Sequence, residues 1–245
     1  MDFYTPPHSP ISLIQWRDPR KNEYPETWDA LVSFAEEVPL AHAEVRTAED
    51  VKLALAKWFH NSPNNAQYSY IGAHGLVTPE GKCVGIGASL NTNEHAKWDE
   101  VWTWYTQGEL LGGLWLGACG TRDAADALTG FLQTAERVVI PYIYGFRDPK
   151  NVSPSRELKP ILLKLIELTR TNDVVWLDEE LAMLRRAVPH TTVELYYPAF
   201  TTAGQRKYVN VDTIETEVGM PFRHLLENQA LRAVRSTGQR GIRGR

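Results

Sequence analysis

The stretch GGLWLGACGT, residues 112–121, places an apolar run between two groups of small residues. Leu114, Trp115 and Leu116 predict a buried strand that is bounded by glycine on both sides. The sequence that follows, TRDAADALTGFLQTAER, has the pattern of a helix. Cys119 is therefore expected where a strand gives way to the N-terminus of a helix. That position suits a nucleophile, and it equally suits a small buried residue.

Further strands and helices alternate along the chain on both sides of this stretch. Thr47 and Asp50 predict a capping box at the start of one helix, and VTPEGKCVGI predicts a hairpin that turns at Pro79–Gly81. The predicted strands are 11–16, 42–46, 67–74, 114–116, 137–146, 192–200 and 207–212, of which the last two form an antiparallel pair. One helix is predicted to begin near Thr27, and the other predicted helices cover 48–60, 95–108, 121–137, 155–169 and 178–188. This alternation predicts an α/β fold with a mostly parallel sheet and helices on both faces.

Composition places the chain among globular proteins, with 43% hydrophobic and 23% charged residues over a length of 245. The net charge of −4 gives no support for a nucleic-acid partner over the whole surface. The exception is the C-terminal ALRAVRSTGQRGIRGR, which carries five arginines and no acid. We expect a domain over 1–230 and a basic, flexible tail over 231–245, which could also dock on a partner.

The chain has two cysteines, too few for a disulfide framework or a cysteine zinc site. The N-terminus lacks the pattern of a signal peptide, and no apolar run approaches the length needed to span a membrane. We expect a soluble, cytoplasmic protein without a membrane partner. The remaining histidines show no metal-ligand spacing.

Two strand ends stand out, YSYIGAHG with His74 and LWLGACGT with Cys119. The carboxyl ends of parallel strands gather at one edge of a sheet, where ligands bind. One strand–helix crossover separates the two residues, so their strands are predicted neighbours. An imidazole that faces a thiol is the minimum apparatus for thiolate catalysis.

The surroundings of Cys119 agree with such a role. The positive end of the helix that follows favours the thiolate, and Gly72, Gly75, Gly117 and Gly120 are expected to clear space for a substrate backbone. The N–H groups of Gly75 and Cys119 could form an oxyanion hole.

A strand that ends in a small residue, His and Gly, followed about fifty residues later by an apolar strand that ends in Ala-Cys, resembles the caspase-like (clan CD) cysteine peptidases. That group includes caspases, metacaspases, separases and the bacterial CHAT-type peptidases. GACGT keeps the Ala118-Cys119 core of the caspase signature Gln-Ala-Cys-x-Gly. It has Gly117 where caspases have glutamine and Thr121 where they have glycine, which is closer to the broader bacterial branch.

The resemblance implies a caspase-like three-layer sandwich and a cysteine endopeptidase that cleaves a partner protein through a thioester. It makes His74 the general base or acid, Cys119 the nucleophile, and the Gly75 and Cys119 amides the oxyanion hole. It implies neither a metal nor an organic cofactor. It also implies a regulated effector in antiviral defence or programmed cell death, held in check until a partner, ligand or loop cleavage activates it, with loop 76–97 and the tail as switch elements.

By the same resemblance, the loops WRDPRKNEY and GFRDPKN line the substrate pocket. Arg17 and Arg147 would bind an acidic P1 side chain as bidentate forks, whereas Asp148 would select arginine or lysine. We favour Asp148, with Gly117 as a further substrate contact.

Other interpretations remain open. A glutaminase-like or α/β-hydrolase-like enzyme would use a Gly-x-Cys-x-Gly elbow with a downstream histidine, for which His190 and His224 are the candidates. A non-catalytic scaffold of the same fold is a third hypothesis. Cys83 is interpreted as structural, and the aromatic face of WDEVWTWYTQ (Trp98, Trp102, Tyr105) as core rather than as a cleft wall.

Overall fold

The structure is a computed structural model that describes residues 3–4, 11–17, 41–60, 68–89, 93–106, 113–134, 140–147, 154–170 and 175–230. Within these ranges, eight strands form one sheet. The strands are β1 (Phe3–Tyr4), β2 (Ile11–Trp16), β3 (Ala41–Val45), β4 (Tyr68–Gly72), β8 (Gly113–Gly117), β9 (Ile143–Phe146), β10 (Val193–Phe200) and β11 (Arg206–Asn210), and a smaller sheet contains β5 (His74–Val77), β6 (Cys83–Gly87) and β7 (His95–Lys97).

The large sheet has the spatial order β1-β3-β2-β4-β8-β9-β10-β11. Its five central strands, from β3 to β9, run parallel, whereas β1 pairs antiparallel at one edge and β10 pairs antiparallel with both of its neighbours. Parallel neighbours end at the same edge, so the residues that follow β2, β4, β8 and β9 share one rim of the sheet. We call this rim the carboxyl edge.

Helices cover both faces of the sheet. The helices are α1 (Ala48–His60), α2 (Trp98–Thr106), α3 (Thr121–Thr134), α4 (Pro154–Arg170), α5 (Leu177–Ala187), α6 (Ile214–Val218) and α7 (222–230). One face packs against α1, α2 and α3, and the other against α4 and α5. The prediction of a mostly parallel sheet flanked by helices on both faces is confirmed.

Side-chain alternation explains why β8 must be apolar throughout. Leu114 and Leu116 face the core shared with α1, α2 and α3, whereas Trp115 between them faces the core of α4 and α5. Successive residues of a strand point to opposite faces, so a strand covered on both sides needs apolar residues at every position. All three side chains are at most 1% exposed.

Local signals in the sequence specify several of these elements. The Asp50 N–H donates to Thr47 Oγ1 at 3.1 Å and the Thr47 N–H to Asp50 Oδ2 at 3.2 Å, which confirms the capping box of α1. The hairpin between β5 and β6 turns at the predicted residues, with Gly81 at φ +86°. Trp98, Trp102 and Tyr105 are buried, and the two tryptophan rings stack at 5.4 Å, so this aromatic face is core.

Some predicted boundaries are wrong. The strand predicted over 67–74 ends at Gly72, and His74 instead opens β5 of the small sheet. The helix predicted over 95–108 begins at Trp98, because His95–Lys97 pairs with β6. The strand predicted over 137–146 begins at Ile143. The helix predicted near Thr27 and the tail 231–245 lie outside the described residues.

Over the described ranges, none of the helices combines the length and the apolar character that crossing a membrane requires.

Candidate active site

His74 and Cys119 follow adjacent strands at the carboxyl edge. β4 and β8 pair in parallel with Gly72 opposite Gly117, so each residue lies two positions beyond its strand. The pairing continues past the strands, since the Ala73 N–H donates to the Gly117 carbonyl at 3.4 Å. Both residues are half-buried. The predicted neighbouring strands are confirmed, and the backbones that carry the imidazole and the thiol leave the sheet side by side.

Gly75 packs directly against the cysteine. A Cβ built on Gly75 would lie 2.7 Å from Cys119 Cβ and 2.9 Å from the Cys119 carbonyl oxygen, closer than real Cβ atoms approach. Only glycine lets the start of β5 come this close to the Cys119 backbone. The residue after His74 and the residue predicted as nucleophile are thus in contact. The predicted oxyanion roles of their amides stay a prediction.

Cys83, the second cysteine, contacts the backbone of the loop 117–120 that carries Cys119. Its buried Sγ lies 3.1 Å from the Cys119 carbonyl oxygen and 3.3 Å from the Gly85 carbonyl oxygen, so the thiol can donate to either. Burial raises the pKa of the Cys83 thiol to about 11. Cys83 is therefore held as a neutral thiol at neutral pH, a hydrogen-bond donor rather than a nucleophile. The structural role of Cys83 is therefore a specific one: its thiol contacts the backbone carbonyl of Cys119.

The start of α3 fixes the other side of the loop. Gly120 has φ +81°, a left-handed conformation that favours glycine, and the Ala124 N–H donates to its carbonyl at 3.0 Å as the first helical bond. In the first turn, Asp123 Oδ2 accepts from the Cys83 N–H at 2.8 Å. Cys83 of β6 thus contacts the loop 117–120 through its thiol and the first turn of α3 through its main-chain N–H.

Gly120→Ala is expected to destabilise the protein by about 2–4 kcal/mol, because the residue combines a positive φ with a steric conflict. A Cβ there would lie 2.2 Å from Cys83 Cβ. Thermal unfolding should show a fall in Tm on the order of 5–10 °C. Gly130→Ala is the matched control: Gly130 lies within α3 with no atom near its missing side chain, so alanine should stabilise by about 0.5–1 kcal/mol. An unchanged Tm for Gly120→Ala would contradict the assigned loop conformation.

If Cys119 is the nucleophile that the sequence predicts, Cys83→Ala should lower kcat roughly tenfold with little change in KM, because the substitution would move Cys119 and no substrate contact. Cys83→Ser should lower kcat less, because serine keeps a hydrogen-bond donor for the Cys119 carbonyl. Steady-state kinetics of both variants provides the measurement. Equal kcat values for the alanine and serine variants would contradict the role of the Cys83 thiol in positioning the Cys119 backbone.

Protein atoms occupy the space beside the glycines that end β4 and β8. A Cβ on Gly117 would lie 2.4 Å from the Tyr70 hydroxyl oxygen, and one on Gly72 would lie 2.3 Å from Gln15 Oε1. The Tyr70 ring and the Gln15 side chain thus occupy the room that these glycines leave on the face of α4 and α5. Packing alone accounts for glycine at both positions, and the predicted contact of Gly117 with substrate stays a prediction.

The predicted pocket arginines also lie at the carboxyl edge, and both are ion-paired. Arg17 follows β2 and forms a bidentate pair with Glu44 at 2.8 and 3.1 Å. Arg147 follows β9 and contacts Glu194 at 2.9 Å and Asp212 at 3.3 Å, and Glu194 raises the pKa of the Arg147 guanidinium. Asp148 lies outside the described residues. The charges of both arginines are therefore already compensated within the chain.

The two downstream histidines lie at different edges. His190 lies in the exposed turn before β10, whose first residue, Val193, pairs with Phe146 at the end of β9, so this histidine belongs to the carboxyl edge. His224 is exposed on α7, whose later residues border a cavity at the opposite edge. His190 thus lies near the same edge of the sheet as His74 and Cys119, in the turn before β10, whereas His224 does not.

Sequence reasoning missed the supports of the loop, namely Cys83, Asp123, Tyr70 and Gln15. Alternation along β2 and β4 could have placed Gln15 and Tyr70 on the same face as Gly72. The contact between Cys83 and Cys119 depends on how the small sheet docks on α3, for which no local pattern exists.

Among the described residues, no group of three or more histidine, cysteine or acidic side chains is arranged to hold a metal ion. Comparison with protein-family models finds no match, and comparison with curated protein sequences finds none either.

Proposed function

We propose that the chain is a cysteine endopeptidase with a caspase-like three-layer sandwich, in which His74 and Cys119 form the catalytic dyad. The observation that carries the proposal is the parallel pairing of Gly72 with Gly117, which sends both residues off one edge of the sheet together. The close contact between Gly75 and Cys119 supports it further. Two residues of complementary chemistry occupy adjacent strand ends, where open parallel sheets bind ligands.

In the proposed reaction, Cys119 Sγ attacks the scissile carbonyl carbon as a thiolate and forms a tetrahedral intermediate. The amides of Gly75 and Cys119 donate to the oxyanion, and His74 gives a proton to the leaving amine. A thioester to Cys119 remains. His74 then takes a proton from water, which attacks the thioester and releases the carboxylic acid product, so that Cys119 returns to the thiolate beside a protonated His74.

Two features of the loop favour nucleophilic chemistry at Cys119 rather than at Cys83. Cys119 is half-buried and precedes α3 by two residues, near the positive end of the helix. Cys83 is 2% exposed and is held as a thiol. The chain thus offers one accessible cysteine and one buried supporting cysteine.

For the substrate, we propose a partner protein cleaved after arginine or lysine, with Asp148 as the selecting carboxylate. The state of the arginines supports this choice over an acidic P1 residue. Arg17 is neutralised by Glu44, and Arg147 is paired with Glu194 and with Asp212, which also binds Arg185. Neither arginine offers an uncompensated charge to a substrate carboxylate.

We further propose a regulated effector of cytoplasmic defence or programmed death, whose isolated chain has low activity until a partner, ligand or loop cleavage activates it. Loop 76–97 is a candidate switch, because its strands β5 and β6 hold both Gly75 and Cys83. Strong constitutive cleavage of generic peptides by the purified chain would contradict this restraint.

A positional-scanning peptide library, run on the wild type beside Cys119→Ala, tests the proposed function. We expect cleavage confined to peptides with arginine or lysine at P1, and none with the variant. Cleavage after acidic residues would reassign the pocket to Arg17 or Arg147. Cleavage that persists in Cys119→Ala would reject the peptidase mechanism.

The position of His190 favours a second candidate function, that of a glutaminase-like cysteine hydrolase. His190 lies at the carboxyl edge, beyond β9 on the side of β10. In that enzyme His190, and not His74, would serve Cys119. Alanine variants of the two histidines separate the candidates.

A further inference from the structure

The two cysteines of the chain lie side by side at the carboxyl edge, although 36 positions separate them in sequence. The Sγ of Cys83 is 3.1 Å from the carbonyl oxygen of Cys119, and neither residue is in a disulfide. Two neighbouring thiols have a chemistry that neither has alone, because they are the reduced form of a disulfide.

Glycine leaves open the space beside both side chains. A Cβ on Gly75 would lie 2.7 Å from the Cβ of Cys119 and 3.1 Å from the Sγ of Cys83. Those two atoms are therefore no farther apart than the sum of these distances, about 5.8 Å. A disulfide places its two Cβ atoms about 3.5–4.5 Å apart. A bond between the sulfurs thus requires side-chain rotation and a shift of the loop 117–120 that is smaller than the present separation.

The main chain of Cys83 is held beside this loop on both of its polar groups. Its N–H donates to Asp123 Oδ2 at 2.8 Å, and its carbonyl accepts from the indole N–H of Trp98 at 2.9 Å. Asp123 belongs to the first turn of α3, which begins two residues after Cys119. The Cys83 thiol therefore stays close to Cys119, and such proximity gives a reaction between the two a high effective concentration.

The two thiols differ in how readily an oxidant attacks them. Cys119 is half-buried and precedes the positive end of α3, which favours the reactive thiolate. Cys83 is 2% exposed, and burial raises the pKa of its thiol to about 11. An oxidant from solution therefore reacts first at Cys119, and Cys83 is the thiol that lies next to the product.

We propose that Cys119 and Cys83 form a reversible disulfide when the chain meets hydrogen peroxide, with Cys119 as the oxidised cysteine and Cys83 as the resolving cysteine. The Cys119 thiolate attacks one peroxide oxygen: the S–O bond forms, the O–O bond breaks, and the released hydroxide takes up a proton to give water. The Cys83 sulfur then attacks the sulfur of the Cys119 sulfenic acid. The S–S bond forms, the S–O bond breaks, and the Cys83 proton leaves with the hydroxide as a second water. Two electrons pass from the thiols to the peroxide, and a dithiol reductant returns both thiols by exchange.

The consequence for activity rests on the proposed function. A disulfide occupies the Cys119 Sγ that would form the thioester, so the oxidised chain is inactive. It also blocks further oxidation of Cys119 to the sulfinic acid, a loss that dithiols do not reverse. The formation of the disulfide itself does not depend on peptidase activity.

Thiol mapping of the full chain tests the proposal. The reduced protein is treated with hydrogen peroxide, the remaining thiols are alkylated with N-ethylmaleimide, and the peptides are identified by mass spectrometry. In the wild type we expect a cross-link between the Cys83 and Cys119 peptides of one chain, and both thiols again after dithiothreitol. In Cys83→Ser, the Cys119 sulfinic acid should accumulate at least about fivefold faster. In Cys119→Ser, Cys83 should remain a thiol at the same peroxide dose.

Equal rates of sulfinic acid formation in the wild type and Cys83→Ser would overturn the proposal, as would disulfides that join only separate chains. Oxidation of Cys83 in Cys119→Ser would overturn the assigned order of attack. Cleavage of the best library peptide, measured in parallel, should fall with the cross-linked fraction and return with dithiothreitol. Full cleavage by the cross-linked chain would overturn the inactivation. A cross-link in a chain that cleaves no peptide would support the disulfide and reject the proposed function, so the two failures are distinguishable.

Discussion

Cys119→Ala is expected to reduce peptide cleavage by at least about 10⁴-fold, because the substitution removes the only atom that can form the proposed thioester. The fold should survive the change. Cys119 is half-buried, and its backbone is held by the Cys83 thiol and by the contact with Gly75. We expect a Tm within about 2 °C of the wild type. Turnover of the best library peptide, measured beside thermal unfolding, gives both quantities.

Cys83→Ser is the matched control for this experiment, since it changes the other cysteine and keeps a donor to the Cys119 carbonyl. It should retain most of the activity. Full loss in Cys83→Ser together with retained activity in Cys119→Ala would exchange the roles of the two cysteines and contradict the proposed site.

His74→Ala is expected to lower kcat by about 10²–10⁴-fold, the contribution of general acid–base catalysis. His74 opens β5 beside Gly75, so its loss removes the imidazole without removing a core side chain. We expect a smaller change in KM, because proton transfer to the leaving amine occurs in the transition state. Steady-state kinetics on the same peptide provides the comparison.

His190→Ala serves as the control, because His190 is an exposed histidine at the same edge of the sheet. It should leave kcat within about twofold of the wild type. The reverse pattern, with His74→Ala active and His190→Ala inactive, would favour the glutaminase-like hydrolase. Full activity in both variants would exclude His74 and His190 as the catalytic base.

The strand-to-helix transition at Cys119 could be predicted from the sequence because its signals are local. GGLWLGACGT contains an apolar run, flanking glycines and a helix start, and the structure has β8 and α3 in those places. The capping box of α1 and the turn at Gly81 follow from equally local patterns. The alternation of strands and helices was sufficient to predict a sheet with a layer of helices on each face.

Contacts between distant residues could not be predicted in this way. Glu44 pairs with Arg17, 27 positions away, and Glu194 pairs with Arg147, 47 positions away. No spacing pattern in the sequence predicts these pairs. Glu180 is a charged residue in a helix, where exposure is the ordinary expectation, and its burial depends on tyrosines from β4 and β9. The position of His190 likewise depends on the direction of β10.

The rate of covalent labelling of each cysteine, mapped by mass spectrometry, tests most directly whether His74 and Cys119 act together. Iodoacetamide is applied at neutral pH to the wild type and to His74→Ala. With a pKa of about 11, Cys83 has a thiolate fraction of about 10⁻⁴ at pH 7 and should remain unlabelled. We predict labelling of Cys119 in the wild type and at least tenfold slower labelling in His74→Ala. Equal rates in the two proteins, or labelling of Cys83 instead, would contradict the dyad.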